Sequence, residues 1–169
     1  RSEAGEDIEP VLAQRAEAGF NTLRIWTAYD LLPGIGRLIP RERPGLYAHV
    51  PVLVGQAARF GLYCDFTAFT GPYTTVFAND DEKVEHWERL IAACAGTSAH
   101  LERVNEYNYT PNRNIPLARL RRPDGILASA GSNMLDQEPV QPVWDEGGYH
   151  TNGLPEWWRK TGHNSMEWA

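Results

Sequence analysis

Three stretches of this chain repeat one pattern, and that repetition restricts the fold more than any other feature. "PVLAQRAEAGFNTLRIW" (Pro10 to Trp26), "HVPVLVGQAARFGLYCDF" (His49 to Phe66) and "VEHWERLIAACAGTSAHLERV" (Val84 to Val104) each open on an Ala-rich stretch with apolar residues at helical spacing. Each then reaches a glycine, Gly19, Gly61 or Gly96, where a helix C-cap belongs, and runs on into a short apolar strand. The chain is therefore built from helix-to-strand units.

Short strands that alternate with helices predict a parallel sheet, because returning to the same sheet edge requires a crossover. Further strands are expected at "GILASA" (Gly125 to Ala130) and "GYHTN" (Gly148 to Asn152), and a last helix at "LPEWWRKTGH", with Pro155 in its first turn and Gly162 near its end. Unit lengths of this kind suit either a (β/α)8 barrel or a doubly wound sheet. The loops decide between them. Segments after the strands are long and rich in Gly, Pro, aromatic and polar residues, as in "TAYDLLPGIGRLIPRERPG" and "GSNMLDQEPVQPVWDEGG", whereas the turns before the strands are tight. That asymmetry is the one expected of a TIM barrel, whose functional face is built from the loops at the C-terminal strand ends.

A complete barrel needs eight strands and about 250 residues. With 169 residues the chain supplies about five strands, so the expectation is one partial domain over 1–169: the central portion of a (β/α)8 barrel, strands two to six with intervening helices, truncated at both ends. A net charge of −6 gives no basic footprint for a polyanion, which argues against nucleic acid as a partner. No run reaches the apolar length of a membrane span, and no signal peptide is visible in Arg1 to Pro10. Cys64 and Cys94 lie in apolar surroundings without CxxC spacing, and are read as buried free thiols.

Residues at the C-terminal strand ends of such a sheet converge even when distant in sequence. In order they are Arg24 and Trp26, Asp65 and Thr67, Asn105 and Glu106, Ser129 with Ser132 and Asn133, then His150 and Asn152. The set is polar and aromatic around one Glu. Carbohydrate chemistry calls for that combination, since aromatic faces stack on sugar C–H surfaces, amide, imidazole and guanidinium groups bind hydroxyls, and a carboxyl protonates a departing glycosidic oxygen. Trp26, Tyr107, Tyr109 and Trp144 are the candidate sugar platforms.

"GFNTLRIW", with Arg24 late in a strand, followed two units later by "VNEYN", resembles the large clan of retaining glycoside hydrolases built on TIM barrels, cellulase-like and β-mannanase-like enzymes among them. In that clan an Asn-Glu pair ends the fourth strand and an Arg ends the second. Carried onto this chain, the resemblance implies that Glu106 is the general acid/base and Asn105 holds the sugar 2-OH. Arg24 would orient the nucleophile, and His150 would end strand six and bind a hydroxyl or that nucleophile. For the nucleophile, a second Glu at the end of strand seven, the late candidate is Glu167, which follows the last helix with no Val/Ile-rich strand before it, so the 169 residues alone are expected to be inactive. The implied partner is an oligo- or polysaccharide, with no cofactor and no metal. A non-catalytic carbohydrate-binding or structural barrel, as in a surface or virion protein, is the competing reading. A metal-dependent hydrolase using His150, Glu106 and Asp65 is a third, and lacks an early His-x-His.

Each of these residues also has a plainer reading. Glu106 is otherwise a solvated carboxylate or a partner for Arg103 or Arg113; Arg24 is otherwise a core ion pair; His150 is otherwise a hydrogen-bonded core histidine. Asp65 is read as tying down a loop. "GIGRLI" (Gly34 to Ile39) lacks the third Gly and the strand-turn-helix context of a dinucleotide loop and is read as a turn.

Overall fold

Glycine closes the first two helices as the sequence implies. The computed structural model describes residues 5–32, 36–70, 76–105 and 114–129. In it, helix α1 (Glu9–Glu17) ends with Gly19 at φ +87°, and the Phe20 amide donates back to Arg15 O at 3.1 Å. Helix α2 (Leu46–Ala58) ends the same way, with Gly61 at φ +71° and the Leu62 amide on Ala57 O at 3.1 Å. Both are i to i−5 closures that satisfy the last helical carbonyls and turn the chain sharply into the next strand. Helix α3 (Asp80–Cys94) is likewise followed by a glycine at positive φ, Gly96 at +74°, and is also fixed at its start: Asn79 Oδ1 accepts the Glu82 amide at 2.9 Å, and Asp80, Asp81 and Glu82 put negative charge at the positive end of the helix dipole.

The strands that follow these helices are β1 (Thr22–Trp26), β4 (Tyr63–Thr70) and β5 (His100–Asn105), and a fourth, β6 (Ala128–Ser129), lies beside β5. All pair in parallel in the order β1-β4-β5-β6. The expected mixed α/β arrangement with a parallel sheet is present. From Cys64 to Thr70 the side chains of β4 are buried apart from a half-buried Asp65, as a strand covered on both faces requires. Alternation sets Cys64, Phe66 and Ala68 on one face and Thr67 on the other. The first group belongs to a core that includes Val54 and Ala57 of α2 and Trp87, Leu90 and Cys94 of α3. Both cysteines are free and buried, and burial pushes their thiols up to about 11 (Cys64) and about 12 (Cys94).

Two features differ from expectation. The long segment after β1 folds into an antiparallel hairpin, β2 (Tyr29–Leu32) with β3 (Gly36–Leu38), followed by a 3-10 turn at Pro40–Glu42. "GIGRLI" thus contributes an entire hairpin strand rather than a simple turn. The sequence predicts a helix between β5 and β6; the described residues of that connection, 114–127, contain no α-helix and carry a 3-10 turn at Leu117–Arg119. Pro116 and Pro123 remove amide donors there, and helix α3 anchors the segment from outside: Trp87 Nε1 donates to Arg121 O at 2.8 Å, Lys83 Nζ to Asn114 O at 3.0 Å, and Arg121 pairs with Glu88 at 2.9 Å. The expected strand at Gly148 to Asn152 and the helix after it lie outside the described residues.

Candidate functional site

Arg24 leaves β1 and reaches over the neighbouring strand to the one beyond. In register it lies level with Asp65 and His100, but its guanidinium climbs one step toward the C-terminal strand ends, to the level of Thr67 and Glu102. There Nε contacts Thr67 Oγ1 at 3.2 Å and Glu102 Oε2 at 2.9 Å, while Nη2 donates to Glu102 Oε2 and to Asn105 Oδ1, the latter at 2.9 Å. Thr67 Oγ1 donates to the same carboxylate oxygen at 2.6 Å. Three donors on one oxygen are what a carboxylate only 4% exposed requires, because a charge taken out of water is tolerated only when paired and hydrogen-bonded.

The consequence is a fixed polar floor across β1, β4 and β5. Of the residues expected in the site, Arg24 and Asn105 are joined directly; Trp26 is half-buried at the end of β1, level with Thr67. Ser129, buried on β6, is level with Glu102. Glu106, Tyr107, Asn133 and His150 lie outside the described residues, as do Tyr109 and Trp144. Asp65 is not a loop tie: it sits inside β4 and faces His100 Nδ1 across the strand pair at 3.3 Å. Arg24 is indeed in a core ion pair, and the same guanidinium also holds Asn105.

Sequence reasoning passed over Glu102, although "HLERVN" carries a visible signal. A Glu between Leu101 and Val104 in a strand buried on both faces must find a partner of opposite charge, and "TLRIW" offers an Arg in the same predicament.

It also passed over His86, which braces the strand ends from the helix side. His86 is 1% exposed, between Tyr47 of α2, Phe69 and Phe77, with ring centroids 5.1–5.7 Å away. A carbonyl can only accept, so Nε2 carries the proton toward Ala68 O at 3.2 Å and Nδ1 accepts from the Tyr47 hydroxyl at 2.7 Å. Thr27 Oγ1, 3.1 Å from Nε2, passes its own proton to Thr67 O at 2.9 Å. Burial pushes the imidazole down to about 3, against a smaller upward effect of the Ala68 carbonyl, and Arg89 adds to the depression. Arg89 lies 4.0 Å over the Tyr47 ring, whose hydroxyl burial raises to about 12. The network locks the end of β1 and the Thr67 segment of β4 to both helices. Among the described residues no three His, Cys, Asp or Glu side chains group as metal ligands.

No protein-family model matches the chain, and no curated protein matches it in sequence. Its fold is similar to the crystal structure of a glycoside hydrolase family 5 protein from Bacteroides vulgatus, with a TM-score of 0.51 and 15% sequence identity. The likeness covers 72% of this chain and 30% of that one, so the chain spans less than a third of the structure it matches. At that identity the likeness is one of fold: a parallel α/β arrangement shared with a glycoside hydrolase.

Proposed function

We propose that residues 1–169 form one partial domain, the central portion of a (β/α)8 barrel that cleaves β-glycosidic bonds with retention in the full-length protein. The observation that carries the reading is the Arg24–Asn105 hydrogen bond at the C-terminal end of β5, one residue before Glu106. An Asn that ends one strand and is followed by Glu, with an Arg late in another strand, is the arrangement that the resemblance to retaining glycoside hydrolases implies, and the hydrogen bond brings the Asn and the Arg together. The fold likeness to a family 5 glycoside hydrolase supports it independently.

In this reading Glu106 donates its proton to the glycosidic oxygen as the C–O bond breaks, while a carboxylate beyond these strands attacks the anomeric carbon from the other face. Glu106, now ionised, then takes a proton from water as that water displaces the enzyme carboxylate. Retention requires the two carboxyl groups to stand about 5–5.5 Å apart. Asn105 binds the 2-OH and Arg24 orients the nucleophile. Trp26 and Tyr107 form aromatic walls, and Asn133 and His150 bind further hydroxyls. The partner is an oligo- or polysaccharide. In the full-length protein Glu106→Gln should lower turnover of substrates with poor leaving groups by several orders of magnitude; a rate within about tenfold of the parent would exclude the role and favour a non-catalytic carbohydrate-binding barrel.

A further inference from the structure

Two polar networks meet at Thr67. Its side chain lies in the floor, where Oγ1 donates to Glu102 Oε2 at 2.6 Å, and its carbonyl accepts the Thr27 amide at 3.1 Å and the Thr27 hydroxyl at 2.9 Å. Thr27 directly follows Trp26. The polarity of this second network is fixed, since a carbonyl only accepts and Nε2 of His86 must carry the proton that faces Ala68 O. Donation runs from the Tyr47 hydroxyl to Nδ1 at 2.7 Å, from Nε2 toward Ala68 O and Thr27 Oγ1 at 3.2 and 3.1 Å, and from Thr27 to Thr67 O. Arg89, 4.0 Å over the Tyr47 ring, packs on the first donor. Trp26 is half-buried, so packing holds only part of its ring and the backbone just after it supplies the rest of the constraint, with Thr70 Oγ1 donating to Ala28 O one residue further on. We infer that Tyr47 and His86, which stand on the helix side, are positioning residues of the site: by fixing the Thr27 hydroxyl on Thr67 O they set where the Trp26 wall stands relative to the floor.

The placement of Trp26 stands on these contacts, and its use as a wall against a sugar rests on the function proposed above. Two readouts separate the two. In 15N-labelled full-length protein the Trp26 indole resonance, assigned through Trp26→Phe, should shift in the isosteric Thr27→Val and in Tyr47→Phe, and lie near the parent position in Thr27→Ser, which keeps the hydroxyl. The Phe20 amide, bonded to Arg15 O at the opposite end of β1, should stay in place and report that the fold is intact. On an aryl β-cellobioside or β-mannobioside, Thr27→Val and Tyr47→Phe should raise KM by about threefold or more with kcat within about twofold, because a displaced wall weakens ground and transition states alike. In a Trp26→Ala background the same substitutions should add nothing to KM. An unmoved Trp26 resonance in both variants overturns the assignment, as does a fall in kcat at unchanged KM, the sign of lost folded protein, or an undiminished KM effect in Trp26→Ala. A full-length protein that cleaves neither glycoside while Trp26 still responds counts against the hydrolase reading and leaves the positioning role standing.

Discussion

A neutral imidazole sealed between two helices and a strand gives the folded state an acid limit. His86 holds its proton at about 3 in the folded protein against 6.5 in the unfolded chain. Between those values the unfolded state binds a proton that the folded state lacks, so folding stability is complete above pH 6.5 and falls as the pH drops toward 3. The slope from this one group approaches ~1.4 kcal/mol per pH unit. Denaturant titrations from pH 7 to 4 should show this slope in the parent and lose it in His86→Gln, whatever the offset between the two proteins; parallel curves would show that the histidine titrates normally. Its position was readable in part. Buried Lys83, His86, Trp87, Leu90, Ile91 and Cys94 recur every three or four residues along α3, a helical period that sets His86 on the inner face from the sequence alone. Its partners were not readable, because Tyr47 and Ala68 come from other elements and only the assembled fold brings them to the ring. The Glu102 pairing is of the same kind: Arg24 lies 78 residues away in sequence, on a strand that is not even adjacent in the sheet.

At the scale of elements, periodicity and closing glycines located α1, α2, α3 and the three strands after them, because local sterics fix both signals. The β2–β3 hairpin escaped since its strands are short and sit among prolines and glycines, where alternation over three or four residues is too brief to stand out. Among the described residues before β6, 114–127 form no α-helix: the repeating unit gives way there to a stretch with Pro116 and Pro123 that has no helical period of its own. Helix α2 carries a removable weakness. Gly55 lies in its exposed face with nothing within 4 Å of where a Cβ would stand, and its φ is helical. Gly55→Ala should therefore stabilise the protein by about 0.5–1 kcal/mol, read as a higher denaturation midpoint at unchanged m-value. No gain would mean that the backbone there departs from a regular helix, with Pro51 four residues earlier as the first suspect.

For the whole molecule, the edges of the sheet carry the test of closure. Among the described residues β1 and β6 are its edges, and Leu23 and Ile25 of β1 are only half-buried. The Thr27 amide donates to Thr67 O, and alternate residues of a parallel strand address opposite neighbours, so Leu23 and Ile25 point their amides toward β4 while Thr22, Arg24 and Trp26 point theirs away. A closed barrel in the full-length protein requires both sets to be protected from hydrogen exchange to a similar degree; near-unprotected exchange of Thr22, Arg24 and Trp26 alone would mean that the sheet stays open on that side. The parallel strand order is what supports the barrel reading.

The most direct test of the central claim, that Glu106 is the acid/base of a retaining site, removes that carboxyl and asks what replaces it. In the full-length protein Glu106→Ala should hydrolyse an activated aryl β-glycoside slowly, and added azide should restore turnover and yield the β-glycosyl azide, because the anion occupies the face that Glu106 vacated after the leaving group has gone. An α-azide, or wild-type turnover without azide, would contradict the account.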